Sequence, residues 1–263
     1  MQRLDPLSFG IIFTPMKPGC ISFLFILFFT CSVHSQDARE IVRKADLKAR
    51  GETSITDMSM KVVRPNWSKE MRLKAWTKGN KLAMIQILSP AKERGIVYLK
   101  RGKEVWNWIP SIERTVKMPP SMMSQSWMGT DFTNDDLVKE FSILEDYVHA
   151  LLGEENIGER MCYRIQLIPK PEAAVVWSKV MLWIEKAELV MMKAEYFDED
   201  NVLVNRMLVN EVGQLGGRLL PTIIEMTPMD KKGQKTIITN HTIEFDRQVA
   251  DEFFSVNQMQ KLP

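Results

Sequence analysis

Histidine and cysteine are scarce in this chain, with three of each among 263 residues, and that scarcity removes most catalytic and metal-binding possibilities. No His-x-x-x-His, Cys-x-x-Cys or Glu-x-x-His spacing offers a metal site. A Gly-x-Ser-x-Gly elbow, a phosphate-cradling Walker loop and a Gly-x-Gly-x-x-Gly fingerprint are all missing. Charge of one sign is missing too. Against 35 Lys+Arg stand 33 Asp+Glu, a net charge of +2, which gives no electrostatic reason to expect nucleic acid as a partner. Long apolar runs are absent but for one short example, which excludes a multi-span membrane protein. With 45% hydrophobic and 26% charged residues the chain is not disordered either.

The one apolar run is residues 21–29, broken only by Ser22, preceded by Lys17 and followed by Val33-His34-Ser35. A basic residue, a short apolar core and small residues at its end spell a secretory signal, cleaved after Ser35. The run falls short of the ~20 apolar residues that a crossing helix needs. Met16-Lys17-Pro18 makes a more natural start than Met1, because it sets a basic residue directly before the run. Cys31 follows the run, but Phe28-Phe29-Thr30 lacks the Leu and the small residue of a lipidation box. Residues 1–35 are therefore assigned to a signal peptide and residues 36–263 to a single domain, since no linker or repeat divides the latter and no transmembrane segment lies within it. Removing the signal takes away Arg3, Lys17 and Asp5, leaving a net charge near zero, and also Cys20 and Cys31. Cys162, left without a partner, cannot form an internal disulfide and reads as a small core residue on a strand.

Methionine is abundant, 18 in all, and seven tryptophans accompany it. All of them except Met1 and Met16 lie beyond residue 35. Residues 36–50 form an amphipathic helix, with Ala38, Ile41, Val42, Ala45 and Leu47 toward one side and Gly51 as the stop. From 54 to 118 apolar residues alternate, as in Met58-x-Met60-x-Val62 and Met71-x-Leu73-x-Ala75, with turn signals about every ten residues. That is the pattern of an antiparallel meander. Helical character is expected over 119–152: a short helix at 121–128 with Met123 and Trp127 on one face, then a capping box at Thr133 and Asp136 opening a helix at Asn134. Strands resume at 161–168, 178–185, 189–198, 202–212, 219–226 and 235–245, with a short terminal strand at 253–256. The fold class is α+β, mainly β.

Candidate catalytic groups are few. His149 reads as a solvated helix or turn position and His241 as a strand residue, neither with a visible nucleophile or orienter. Asp131, Asp135 and Asp136 lack the Gly and Glu of a calcium loop, and helix capping explains at least part of this acidic group. An apolar surface is left as the functional element, against the competing possibility of a plain core. Trp106 and Trp108 are two apart on a strand and share a face; with Trp183 they are the expected wall of a cavity. Met118, Met122, Met123 and Trp127 come from the following segment, expected to lie across that platform, and the last three are the expected lid. No cofactor or metal is called for.

Together with these features, Trp127-Met128-Gly129-Thr130-Asp131-Phe132-Thr133-Asn134-Asp135-Asp136-Leu137, Glu145-Asp146-Tyr147, Leu151-Leu152-Gly153-Glu154-Glu155, Pro169-Lys170-Pro171-Glu172-Ala173, Glu195-Tyr196-Phe197-Asp198-Glu199-Asp200 and Phe253-Phe254-Ser255 follow one another in an order that resembles the outer-membrane lipoprotein-sorting protein family, related to the periplasmic lipoprotein carriers. The resemblance implies an open, incomplete antiparallel β-barrel (half-barrel) whose helices close its mouth over an apolar cavity for acyl chains, and a periplasmic location. It also implies lipid or lipoprotein acyl chains as partners, with an inner-membrane exporter as a further one. Arg43, Arg94 and Arg114 are candidates for the lid arginine of the carriers, and no site residue is carried over. The expected mechanism is binding without chemistry, each buried methylene contributing about 0.8 kcal/mol. Its rivals are a sensory or protein-binding half-barrel acting with an exporter, and a lipid hydrolase, for which the sequence supplies no nucleophile and base.

Overall fold

Strand alternation builds almost the whole molecule. The computed structural model describes residues 33–139, 143–173 and 175–262; the apolar run and Cys31 lie outside them. A helix, α1 (Val33–Arg50), precedes six strands: β1 (Thr53–Arg64), β2 (Trp67–Lys78), β3 (Leu82–Ser89), β4 (Val97–Arg101), β5 (Glu104–Ile109) and β6 (Arg114–Lys117). A connection carrying α2 (Asn134–Lys139) leads to seven more: β7 (Tyr147–Ile157), β8 (Arg160–Pro169), β9 (Lys179–Glu185), β10 (Met191–Phe197), β11 (Leu203–Leu215), β12 (Arg218–Pro228) and β13 (Lys235–Phe245). The chain ends in a 3-10 turn, Asp251–Phe253, and a single helical turn, α3 (Val256–Met259). Among the described residues no helix is long and apolar enough to cross a membrane.

All thirteen strands join one antiparallel sheet in the order β6-β5-β4-β3-β2-β1-β13-β12-β11-β10-β9-β8-β7. Two hairpin meanders thus meet where β1 pairs with β13. The strands β6 and β7 follow each other in the chain yet stand at opposite edges, so the sheet stays open and residues 118–146 must travel from one edge to the other. That crossing covers one face of the sheet, the inner face.

Side-chain parity sorts the core into two faces. Met60 and Val62 of β1, Met71 and Leu73 of β2, and Leu182 and Ile184 of β9 point inward, where Ala38, Val42 and Ala45 of α1 and Trp127 and Phe132 of the crossing pack on them. Small residues on α1 let its axis come close to the sheet. On the outer face Met84, Val97 and Leu99 lie beneath Phe254 and Met259 of the C-terminal segment; Cys162, Trp183, Val190 and Val209 form a separate cluster elsewhere in the sheet. Full burial of each such side chain contributes roughly 1.5–3 kcal/mol.

Two glycines fix where α1 meets the sheet. Gly51 ends the helix at φ +67°, its N–H donating to Leu47 O at 2.8 Å, and a Cβ there would sit 2.8 Å from Phe245 Cδ1. At Gly216 (φ +57°) a Cβ would sit 2.6 Å from Ile243 O, so any side chain would push the β11–β12 turn off its neighbour. Arg218 stacks 3.8 Å from the Phe245 ring centroid and donates to Lys48 O at 3.0 Å, satisfying a terminal carbonyl of α1.

Three expectations are corrected. The helical character over 119–152 shrinks to a 3-10 turn, Pro120–Met122, and to α2, while β7 begins at Tyr147. No helix joins Met123 to Trp127: Pro119 and Pro120 restrict the start, and Trp127 N–H turns to Phe132 O at 2.9 Å. The terminal strand at 253–256 is instead helical turns, because Ser255 caps α3 by accepting from Gln258 N–H. Finally, His149 is no solvated turn residue; it lies on β7, facing inward and only 2% exposed.

Candidate functional site

The crossing segment turns sharply at residues 126–133. Ser126 and Thr133 pair as a bridge, Met128 (φ +52°) and Gly129 (φ +79°) make the bend, and the Thr130 hydroxyl donates to Trp127 O at 2.7 Å. This drives the side chains of Trp127 and Phe132 into the inner core. Trp127 is 2% exposed and meets the Tyr98 ring edge-on at 5.4 Å.

Asp131 fastens the turn to the sheet. Its carboxylate accepts from Arg64 Nη1 at 3.0 Å and from Thr236 Oγ1 at 2.7 Å, while its own N–H donates to Thr236 Oγ1 at 2.9 Å. Arg64 Nη2 donates to Gly129 O at 2.7 Å, Asn205 Nδ2 to Asp131 O at 3.2 Å and Lys69 Nζ to Met128 O at 3.3 Å. Strands β1, β2, β11 and β13 thereby hold one short loop. Both side chains of the Arg64–Asp131 pair are largely shielded from water, so removing either partner strands the other charge, at a cost of about 3–5 kcal/mol.

The capping box forms as the Thr133–Asp136 spacing demands: Thr133 N–H donates to Asp136 Oδ2 at 2.7 Å and Asp136 N–H to Thr133 Oγ1 at 3.0 Å. Asp136 also accepts from Trp177 Nε1 at 2.8 Å, tying α2 to the connection between β8 and β9. Between α2 and the sheet lies a cavity of about 120 Å³, lined by Phe132, Tyr147, Trp177, Leu182, Met207 and Ile238 among others, with Asp135 and Asp136 on one wall. Small-molecule pockets run to roughly 300–1,000 Å³. The inner face is thus filled mainly by its own cover.

Burial shifts several titratable groups of this interior toward their neutral forms. Burial pushes the Tyr98 hydroxyl up to about 12, moderated by hydrogen bonds with the Asn107 and Trp127 side chains. Burial raises Tyr147 further, with the negative charges of Asp135, Asp136 and Asp146 adding to it. His149 is pushed down to about 4, chiefly by burial, with Arg39 and Lys170 acting in the same direction. Asp136 is raised by burial, against the hydrogen bonds from Trp177 and Thr133. At neutral pH the tyrosines and the histidine are uncharged.

The predicted site residues fall into three places. Trp127 joins the inner core, and Met122 and Met123 pack near it with Met118, Val105 and Tyr98. Trp106 and Trp108 do share a face, but they lie on the outer one, against Met84, Val97, Leu99 and Phe254, so the segment after β6 does not cross them. Their partners in register, Leu99 and Val97, have the same parity and sit under the C-terminal turns. Trp183 also faces outward, its Nε1 donating to Glu155 Oε2 at 3.0 Å with Lys193 Nζ 4.0 Å from its ring. Of the candidate arginines, Arg43 pairs with Glu40 at 2.7 Å on α1, Arg94 donates to Leu88 O, and Arg114 is exposed on β6; none lines the cavity. Arg64, Tyr98, Phe132 and Trp177 were not singled out in the sequence. Asp131, an acid inside a Gly-Thr-Asp turn that capping does not use, was the available signal for Arg64. Cys162 is buried on β8 with its thiol pushed up by burial, as a core residue should be.

Comparison with known proteins adds the following. A family model described as an uncharacterized protein matches residues 79–261. No curated protein matches the chain. Among solved structures, a DUF1329 family protein from Desulfovibrio piger superposes with a TM-score of 0.79 at 20% identity, over 86% of this chain and 99% of that one. An outer membrane lipoprotein-sorting protein domain from Vibrio parahaemolyticus gives 0.75 at 19% identity, over 86% and 99%. A LolA superfamily protein from Nitrosomonas europaea gives 0.72 at 24%, over 84% and 98%. The fold is therefore that of the LolA-like proteins, as the resemblance implied.

Proposed function

We propose, on the premise that the chain belongs to the family of uncharacterized proteins whose model matches residues 79–261, that it is a periplasmic carrier which takes lipid or lipoprotein acyl chains onto the inner face of its sheet for sorting to the outer membrane. One observation carries this reading: a broad apolar sheet face is closed by a crossing loop and one helix, held by a few polar fastenings, where an ordinary sandwich would put a second sheet. Such a cover can leave without breaking the strand ladder.

Binding is the whole of the mechanism in this reading. The present cavity takes the end of a chain, and the remaining methylenes replace Trp127 and Phe132 as the cover withdraws. Each methylene gains about 0.8 kcal/mol on leaving water, but the displaced cover loses comparable burial, and the Arg64–Asp131 pair opposes the exchange. Net affinity stays moderate, as handing a cargo onward requires. The fold's likeness to a lipoprotein-sorting domain supports the cargo class.

The test is native mass spectrometry of residues 36–263 exported to a Gram-negative periplasm and purified without detergent, with lipid extraction alongside. A lipid or lipoprotein acyl chain bound at stoichiometric level is the expected result. An empty protein that also fails to take up added lipid overturns the carrier reading and turns attention to a protein partner.

A further inference from the structure

At the end of the sheet where Arg64 fastens the cover, two turns are neighbours. Pro65-Asn66-Trp67 leads from β1 into β2, and Met229-Asp230-Lys231-Lys232-Gly233 joins β12 to β13. Since β1 and β13 are neighbours, with Val63 opposite Lys235, the turns share a corner: a Cβ on Gly233 would lie 3.8 Å from Pro65 Cγ. Trp67 is 53% exposed and Met229 42%, and Trp67 is the one exposed tryptophan among the described residues. Lys231 and Lys232 are exposed beside Met229. The Arg64 guanidinium lies 5.9 Å from the Trp67 ring centroid.

We infer that this corner docks the protein on a phospholipid bilayer containing anionic lipid, with Trp67 and Met229 entering the headgroup layer and Lys231 and Lys232 meeting lipid phosphates. Tryptophan with its amphipathic ring, and lysine with an apolar stem and a charged tip, suit that layer. Anionic lipid attracts the exposed lysines. A protein interface fits less well, because the two apolar side chains belong to separate connections and have exposed polar neighbours, Asn66 and Ser68 beside Trp67 and Asp230 beside Met229. The β10–β11 turn at the same end carries Asp198, Glu199 and Asp200, which an anionic surface repels, so contact is confined to the corner. Arg64, opposite Trp67 in the register, brings the fastening of the cover to the membrane surface. Docking does not depend on what the inner face holds.

The experiment compares the exported protein with two variants, Trp67→Ala/Met229→Ala and Lys231→Glu/Lys232→Glu, by co-sedimentation with phosphatidylethanolamine–phosphatidylglycerol vesicles and with phosphatidylcholine vesicles. The expected result is binding to the anionic vesicles that drops about tenfold in each variant, with melting temperature unchanged because all four side chains are exposed. No binding of the wild type to either vesicle, or binding that neither variant weakens, overturns the proposal, as does a change in oligomeric state on Trp67→Ala/Met229→Ala without vesicle binding. Bound lipid, read on the same variants by native mass spectrometry, reports separately on the carrier reading, since the tips lie outside the cavity.

Discussion

The two faces of the sheet use the same side chains to different ends. On the outer face Trp106 and Trp108 lie under a C-terminal segment whose Phe254 and Met259 are fully buried. On the inner face Trp127 arrives from the cover itself, meets Tyr98, and belongs to a loop fastened mainly by polar contacts. Both covers carry apolar side chains into the sheet, Phe254 and Met259 on the outer face and Trp127 and Phe132 on the inner, and the inner one adds the shielded Arg64–Asp131 pair. On the carrier reading proposed above, this polar fastening is what a competing set of contacts would replace when the inner cover gives way to a guest. Tryptophan content alone therefore does not identify a binding wall; what matters is how the partner surface is attached.

The sharpest way to break this comparison is Trp127→Ala. Removing a buried indole from the inner core lowers stability by about 3–5 kcal/mol, and on the carrier reading it also enlarges the space under the cover. Chemical denaturation should show the loss, while uptake of a fluorescent fatty acid should be retained or increased; loss of uptake in a folded variant would make Trp127 part of the wall. Next in size is Trp106→Ala with Trp108→Ala. Both rings are only half-buried, so the pair should cost roughly 3 kcal/mol and free the C-terminal turns for proteolysis, with fatty-acid uptake intact. Reduced uptake at unchanged stability would reverse the assignment of the two faces.

Much of this architecture can be read along the chain, and the gaps have physical causes. Alternation gives β1, β2 and β3 directly, and the three-residue spacing of Thr133 and Asp136 gives the start of α2, because both signals are local. The strand β7 hides because its register shifts between Leu151 and Gly153, spoiling the period, and because Val148, Ala150 and Leu152 on one parity and Leu151 on the other leave no clean alternation. Parity correctly places Trp106 and Trp108 together, yet it is symmetric between faces. Only the crossing from β6 to β7 says which face is inner, and that follows from the sheet order. The Arg64–Asp131 pair joins residues far apart in sequence, so neither one announces the other.

The smallest of the three effects separates the faces by pH. His149 and His241 both sit on strands, but His149 is buried inward beneath α1, whereas His241 is exposed on the outer face, 3.1 Å from Ser59 Oγ. Burial holds the folded His149 near 4, below its ordinary 6.5, so the unfolded chain takes up the proton first. The stability this neutral imidazole contributes is complete above 6.5 and is lost as pH falls toward 4. Between about pH 7.5 and about pH 5 the loss amounts to about 2 kcal/mol. Carboxylates titrate in the same range, so the informative quantity is the difference between wild type and His149→Gln, whose neutral amide has no proton to gain. His149→Gln should flatten the pH dependence of the denaturation midpoint by that amount. Equal pH profiles for wild type and His149→Gln would mean that water reaches His149 and that α1 does not seal the inner face at β7.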